Sequence, residues 1–258
     1  MEQKRLFGLI GKTLIHSFSK EYFAEKFKRG NISNSEFNLY PIENINRLSS
    51  LVLDNPTLLG LSVTIPYKES IIPLLDELDE TAIKVGAVNC IKIDNITSGK
   101  KKLTGYNTDI FGFKQSLKPF LESQHERALI LGTGGASKAV AYVLKEIGID
   151  CFFVSRNKEN KQSLKSTKLF DYSELNENTI RAFKLIVNAT PVGMYPNIFD
   201  APPLPYEFVS SSHLLYDLVY NPIESEFLKR GKMNGSSIVN GLSMLHLQAD
   251  EAWRIWNN

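Results

Sequence analysis

The segment Gly132-Thr133-Gly134-Gly135-Ala136-Ser137 follows a short apolar run, Ala128 to Leu131, and precedes an amphipathic stretch. This is the setting of a phosphate-binding loop that opens a helix. Gly132 permits a tight turn, and Gly134 removes a side chain where the backbone must approach a pyrophosphate. The helix N-terminus adds N–H donors and a partial positive charge. The third small position, usually Gly or Ala, holds Ser137. The next apolar run, Cys151 to Val154, leads into Ser155-Arg156-Asn157-Lys158, with no carboxylate before Glu159. An acid here selects NAD through the ribose hydroxyls, whereas an arginine pairs with a 2′-phosphate. The residues favour NADP; the plain alternatives are a simple βα turn and a solvated arginine.

Other polar residues stand where structure alone does not need them. Ser17-Phe18-Ser19 offers two hydroxyls at i and i+2, suited to a carboxylate or, more plainly, to a helix cap. Thr64 and Lys68 bracket a strand-to-helix turn in Ser62-Val63-Thr64-Ile65-Pro66-Tyr67-Lys68, where a lone lysine is ordinarily just solvated. Asn89 interrupts the apolar run Gly86-Ala87-Val88-Asn89-Cys90, and Asp109 ends Thr104-Gly105-Tyr106-Asn107-Thr108-Asp109, where an acid can merely cap a helix. None of these segments decides a chemistry by itself.

The surrounding pattern alternates strand-like and helical stretches. Strands are expected at 5–10, 37–42, 58–64 and 87–93, and helices at 20–29, 44–53 and 66–75, with Pro66 suited to a first helical turn. Residues 94–102 read as an exposed loop. A second series places strands at 128–131, 151–154, 185–188, 214–219 and 237–239. Its helices start at Ala136 and stop at Gly148, follow Asn221-Pro222 and end at Gly231, and run from Leu242 to Trp256. Such alternation is the mark of βαβ units and mostly parallel sheets. Two series imply two α/β domains with a boundary near 109–120.

Composition narrows the function classes. The 258 residues are 43% hydrophobic and 22% charged, ordinary for a globular protein and unlike a disordered or fibrous chain. Thirty Lys and Arg against 28 Asp and Glu, a net charge of +2, argue against a general nucleic-acid binder but leave a small anionic ligand open. Cys90 and Cys151 lie in apolar runs and read as buried free thiols, not a disulfide framework or zinc site. No stretch approaches the ~18 apolar residues of a membrane span, and the N-terminal apolar run is too short for a signal peptide, so the expectation is cytoplasmic. Asn95-Ile96-Thr97 matches a glycosylation sequon by chance.

Taken in order, the segments carry more than any one of them. They are Gly8-Leu9-Ile10-Gly11, His16-Ser17-Phe18-Ser19, Val63-Thr64-Ile65-Pro66-Tyr67-Lys68-Glu69, Gly86-Ala87-Val88-Asn89, Gly105-Tyr106-Asn107-Thr108-Asp109 and the glycine loop. Asn188-Ala189-Thr190-Pro191-Val192-Gly193-Met194, Tyr216-Asp217-Leu218-Val219-Tyr220-Asn221-Pro222 and Gly241-Leu242-Ser243-Met244-Leu245-His246-Leu247-Gln248-Ala249 follow. The set, spanning about 7–249, resembles shikimate dehydrogenase. The resemblance implies an α/β fold: an N-terminal α/β substrate domain at 1–110, a Rossmann-type NADP-binding domain at 111–241, and a C-terminal helix, 242–258, returning to the substrate domain. It implies NADPH-dependent, reversible reduction of 3-dehydroshikimate to shikimate, in chorismate and aromatic amino-acid biosynthesis.

Carried over by position, the resemblance puts the substrate carboxylate at Ser17 and Ser19 with Tyr220 nearby, and the ring hydroxyls at Thr64, Asn89, Asp109 and Gln248. Lys68 is the implied catalytic acid–base residue, paired with Asp109. NADP would lie on Gly132, Thr133, Gly134, Gly135 and Ala136 and on Ser155, Arg156, Asn157 and Lys158. Thr190, Leu218, Gly241 and Met244 would be near the nicotinamide and Glu80 at the cleft edge. No metal is implied, and His16 and His246 read as scaffold. The partner is a small molecule, not nucleic acid or membrane, and the assembly a monomer or homodimer. Ser62, Cys90, Ser243 and Ser155-Arg156-Asn157 depart from the usual Asn, Thr, Gly and Asn-Arg-Thr. Two alternatives stand beside this reading: a relative that also oxidises quinate or uses NAD, and a catalytically weak paralogue that binds NADP or a metabolite. Intact Lys68 and Asp109 argue against the second.

Overall fold

The computed structural model describes residues 4–15, 17–96, 100–156 and 169–258. His16, Thr97, Asn157 and Lys158 lie outside them. The chain divides into two compact units, Met1–Thr108 with Ala249–Asn258, and Asp109–Gln248. In chain order the first unit contains β1 (Arg5–Gly11), α1 (Ser19–Arg29), β2 (Ser35–Pro41), α2 (Leu48–Asp54), β3 (Leu58–Val63), β4 (Glu77–Leu78), α3 (Glu80–Val85), β5 (Cys90–Asn95) and β6 (Lys101–Tyr106). Then come α4 (Asp109–Leu117), β7 (Arg127–Leu131), α5 (Gly135–Glu146), β8 (Asp150–Ser155), β9 (Leu169–Asp171), α6 (Glu177–Ala182), β10 (Leu185–Asn188), β11 (Leu214–Asp217), α7 (Glu226–Met233), β12 (Ser237–Val239) and α8 (Leu242–Asn257). Among the described residues no helix is long and apolar enough to cross a membrane.

The first sheet has the order β2-β1-β3-β5-β6-β4 and is mixed, with three parallel pairs and two antiparallel ones. β1 runs parallel to β2 and β3, while β5 is antiparallel to both β3 and β6. Both ends of the stretch expected as a loop at 94–102 are strand, with β5 and β6 paired antiparallel as far as Asn95 and Lys101. Strand β1 is buried on both faces. Phe7 and Leu9 join Phe23 and Phe27 of α1, Phe37 and Trp256, while Ile10 joins Leu61, Val63 and Ile91. Trp256 comes from the far end of α8. Its indole N–H donates to the Ile91 carbonyl at 3.0 Å, and a Cβ on Gly60 would sit 2.4 Å from its ring. The C-terminal helix thus returns to this unit as a packed part of its core.

The helix expected over 66–75 does not form. Pro73 has no N–H to continue an α-helical ladder, so the segment makes turns and one 3₁₀ turn at Ile72–Leu74. Pro66 follows a cis peptide instead of opening a helix. The helix expected over 44–53 is a 3₁₀ turn at Ile45–Arg47 followed by α2.

The second sheet is entirely parallel, in the order β12-β11-β10-β7-β8-β9. Its first strand, β7, is central, and the order reverses between β7 and β10, the doubly wound arrangement with a topological switch point at that pair. Parallel strands covered on both faces must be apolar throughout; Ala128 to Leu131, Leu185 to Val187 and Leu214 to Tyr216 are all fully buried. Gly231 does not end α7 as expected. The helix continues to Met233, and Gly231 serves packing, since a Cβ there would lie 2.4 Å from Leu215.

Two buried histidines precede strands of this sheet. His213 Nδ1 accepts from the Ser210 N–H at 3.0 Å, so Nε2 carries the proton and donates to the Ile180 carbonyl at 2.9 Å. His125 Nδ1 accepts from the Glu122 N–H at 2.9 Å. Burial holds both below the ordinary histidine range. The unfolded chain therefore binds protons first, and folded stability falls as pH drops below about 6.5. His213→Asn should be destabilised at pH 7 but should lose less on acidification, so its gap from the parent narrows toward pH 5 in urea titrations. A constant gap would show that His213 is not part of the acid response.

Candidate active site

In the second unit the glycine loop leaves the end of β7. Gly132 has φ +101°, and its N–H donates to the Val154 carbonyl at 2.9 Å. A Cβ on Gly132 would lie 2.8 Å from Thr190 Cγ2, so the bare backbone is what lets the β7 and β10 loops meet. Gly134 is the N-cap of α5, makes no side-chain cap, and has nothing within 4 Å of its Cβ position. An uncapped first turn beside open space fits an anionic pyrophosphate. Ser137 is fully buried, and its hydroxyl donates to the Gly134 carbonyl at 2.6 Å. A small side chain with its polar group satisfied locally is tolerated where Gly or Ala is usual. Arg156 is exposed just beyond β8, next to half-buried Ser155; Asn157 and Lys158 are outside the described residues.

The neighbouring loops are joined by buried polar groups that sequence reasoning did not single out. Asn188 ends β10 and Asp217 ends β11, and the two are register partners. Asn188 Nδ2 donates to Asp217 Oδ1 at 2.9 Å. Asn188 Oδ1 accepts from the Thr190 N–H at 3.1 Å and hydroxyl at 2.6 Å. Asp217 Oδ1 also accepts from the Val219 N–H at 2.9 Å, and Oδ2 accepts from the Ser225 hydroxyl. Burial pushes the Asp217 carboxyl up to about 7, against the pull of these donors. Gly241 completes the cluster, because a Cβ there would lie 2.1 Å from the Leu218 carbonyl oxygen. Thr190, Leu218, Gly241 and the glycine loop thus share one edge of the sheet, at the carboxyl ends of its strands. The local signal was present: each hub residue is a polar group closing an apolar strand.

Helices α4 and α8 hold three further candidates of this unit. Asp109 is buried in the first turn of α4. One turn later a Cβ on Gly112 would lie 2.8 Å from the Met244 carbonyl oxygen and 3.2 Å from the Gln248 nitrogen. The helix backbones touch there, which sets Asp109 beside the turn bearing Met244 and Gln248. Tyr220 is half-buried in the loop after β11.

In the first unit the candidates gather at another sheet edge. Ser17 and Ser19 follow β1, and the Ser19 N–H donates to Ser17 Oγ at 3.3 Å. Thr64 follows β3, with its N–H on the Ile10 carbonyl at 3.0 Å. A Cβ on Gly11 would lie 2.6 Å from Thr64 Cγ2, so that glycine keeps the two loops close. The Lys68 carbonyl accepts from the Val88 N–H at 2.7 Å, and the Asn89 carbonyl from the Val63 N–H at 2.8 Å. Asn89 is buried, and its Oδ1 accepts from the Thr108 N–H at 2.7 Å, which fixes the residue before Asp109. Asn107 Nδ2 adds a bond to the Ala87 carbonyl at 2.9 Å. These ties delay β5 until Cys90, three residues later than expected. Two of the unusual residues, Ser62 and Cys90, are register partners across β3 and β5. Glu80 is exposed in α3 and pairs with Lys84. Among the described residues no group of three or more His, Cys, Asp or Glu is placed to hold a metal ion.

The first unit therefore offers Ser17, Ser19, Thr64, Lys68 and Asn89 at one edge, and the second offers a dinucleotide loop at a switch point. Together they define a two-domain α/β oxidoreductase using a nicotinamide nucleotide. Residues 9–91 match the model of the shikimate dehydrogenase substrate-binding domain. Shikimate dehydrogenase (NADP(+)) of Methanosphaera stadtmanae is 36% identical over 262 residues, covering 96% of this chain and 90% of that one. The crystal structure of shikimate dehydrogenase from Aquifex aeolicus superposes with a TM-score of 0.86 at 34% identity, over 100% of this chain and 94% of that one. The Thermus thermophilus enzyme in complex with NADP(H) and shikimate gives 0.84 at 28% identity, over 98% and 93%. This chain belongs to the shikimate dehydrogenase family.

Proposed function

We propose that this chain reduces 3-dehydroshikimate to shikimate with NADPH, reversibly, on the route to chorismate and the aromatic amino acids. The observation that carries the reading is the gathering of Ser17, Ser19, Thr64, Lys68 and Asn89 at one sheet edge of a unit whose residues 9–91 match the substrate-binding domain of shikimate dehydrogenase.

When bound, NADPH supplies the hydride. Gly132 to Ala136 would hold its pyrophosphate, Arg156 with Ser155 its 2′-phosphate side, and Thr190, Leu218, Gly241 and Met244 the nicotinamide. Ser17 and Ser19 donate to the substrate carboxylate, and Tyr220 is a further substrate residue. Thr64, Asn89, Asp109 and Gln248 orient the ring hydroxyls; Asn89, with its oxygen on Thr108, serves as a donor. Reduction places negative charge on the carbonyl oxygen. Protonated Lys68 stabilises that charge and gives up its proton there, and Asp109 holds the lysine in position. In the reverse direction neutral Lys68 takes the hydroxyl proton. The two free, buried thiols suit the reducing cytoplasm, where the chain works as a monomer or homodimer.

The test is initial-rate kinetics with shikimate and quinate, each with NADP+ and NAD+. The shikimate–NADP+ pair should have the highest kcat/KM. Preference for quinate or NAD+ would overturn the substrate or cofactor assignment. Replacing both Ser17 and Ser19 with Ala should raise the KM for shikimate by roughly 10- to 100-fold, through loss of bonds to a charged group, and leave NADP+ affinity intact. An unchanged KM would return the segment to a role as a helix cap.

A further inference from the structure

We infer that Asp217 is a positioning residue for the nicotinamide loops, a buried clamp that touches neither substrate nor cofactor and sets Thr190 and Leu218 relative to each other. The inference rests on the cofactor reading above. Asp217 is fully buried, and among the described residues its partners are neutral donors: Asn188 Nδ2 and the Val219 N–H on Oδ1, and the Ser225 hydroxyl on Oδ2. Two turns of the same kind stand side by side. Asn188 Oδ1 accepts the N–H two residues on and closes the chain around Ala189; Asp217 Oδ1 does the same around Leu218. The bond from Asn188 to Asp217 joins them, so the β10 and β11 loops cannot shift independently. Asn188 also bonds the Thr190 hydroxyl, and the Leu218 N–H donates to the Asn188 carbonyl at 2.9 Å. Ser225 extends the clamp to α7 by accepting the Leu228 N–H at 3.4 Å. A carboxylate suits this place because one oxygen takes two donors and the other a third. Burial without a cation is costly for a group that only holds the fold.

The test uses the purified full chain and NADPH titrations followed by fluorescence, with shikimate-induced thermal shift as the second readout. Asp217→Ala should raise the NADPH Kd by roughly 10- to 100-fold and leave the shikimate response in place. Asp217→Asn should restore NADPH affinity to within roughly threefold, because its oxygen keeps Asn188 and Val219 while its N–H₂ donates to Ser225. Should Asp217→Ala yield no folded protein, Asn188→Ala breaks the same bridge while leaving Asp217 two donors, and should weaken NADPH in the same way. A merely structural residue would lower the melting midpoint of these variants without moving the NADPH Kd of the folded protein, and that result overturns the inference. A parent protein that binds no NADPH would instead overturn the cofactor reading, and the inference with it.

Discussion

Lys68→Met is expected to lower kcat by roughly 10²- to 10⁴-fold, the scale of positioned acid–base catalysis, in both directions of the reaction. Lys68 is half-buried in the turn after β3, and its main-chain carbonyl ties that turn to Val88. Methionine keeps the length of the stem and removes only the proton-carrying amine, so the fold and the binding of both ligands should survive. Asp109→Asn should also be slow. The double variant should be little slower than the worse single one, because groups that act as one unit do not lose activity independently. Losses that multiply would keep both residues important and reject their coupling. A folded, ligand-binding Lys68→Met protein with near-parental turnover would contradict the assignment outright.

Arg156→Ala should weaken NADP+ binding by roughly 10- to 150-fold, the equivalent of one charge-assisted hydrogen bond of about 1.5–3 kcal/mol. NAD+, which lacks the 2′-phosphate, should be affected far less. The arginine is exposed at the end of β8, so its contribution should shrink as ionic strength rises. Isothermal titration with both dinucleotides at two salt concentrations checks this. Equal losses for NADP+ and NAD+ would show that Arg156 does not read the 2′-phosphate.

Much of the scaffold was legible because β7, β8 and β10 each carry an apolar run and α5 one apolar face, the helix being bounded by the glycine loop and Gly148. Two short strands were not: β4 has two residues and β9 three, too few to show a period, whereas β12, also of three, is expected at its observed bounds. The segment 66–75 looked helical by its apolar spacing, yet Pro73 withholds the donor that a helix needs there. Asp94, Asn95, Lys101 and Lys102 read as loop because they are polar, yet they pair across β5 and β6, a partnership that lies in register rather than composition.

The candidate site divides in the same way. The loop of Gly132 and Gly134 could be read from the chain because strand end, loop and helix start are consecutive. The Asn188–Asp217 clamp joins residues 29 positions apart, and only the parallel pairing of β10 and β11 makes them neighbours. Ser62 and Cys90 looked like two separate departures from the family pattern. Their register across β3 and β5 makes them one local change beneath the Thr64 and Asn89 edge.

The most direct test of the central claim follows the hydride itself. Shikimate carrying deuterium on the carbon of the reacting hydroxyl is incubated with the purified chain and NADP+, and the reduced nucleotide is analysed by mass spectrometry. The account predicts NADPH labelled with one deuterium, formed together with 3-dehydroshikimate in equal amount, and roughly 10²- to 10⁴-fold slower with Lys68→Met. Unlabelled NADPH, or no reduced nucleotide from a folded protein that binds both ligands, would contradict it.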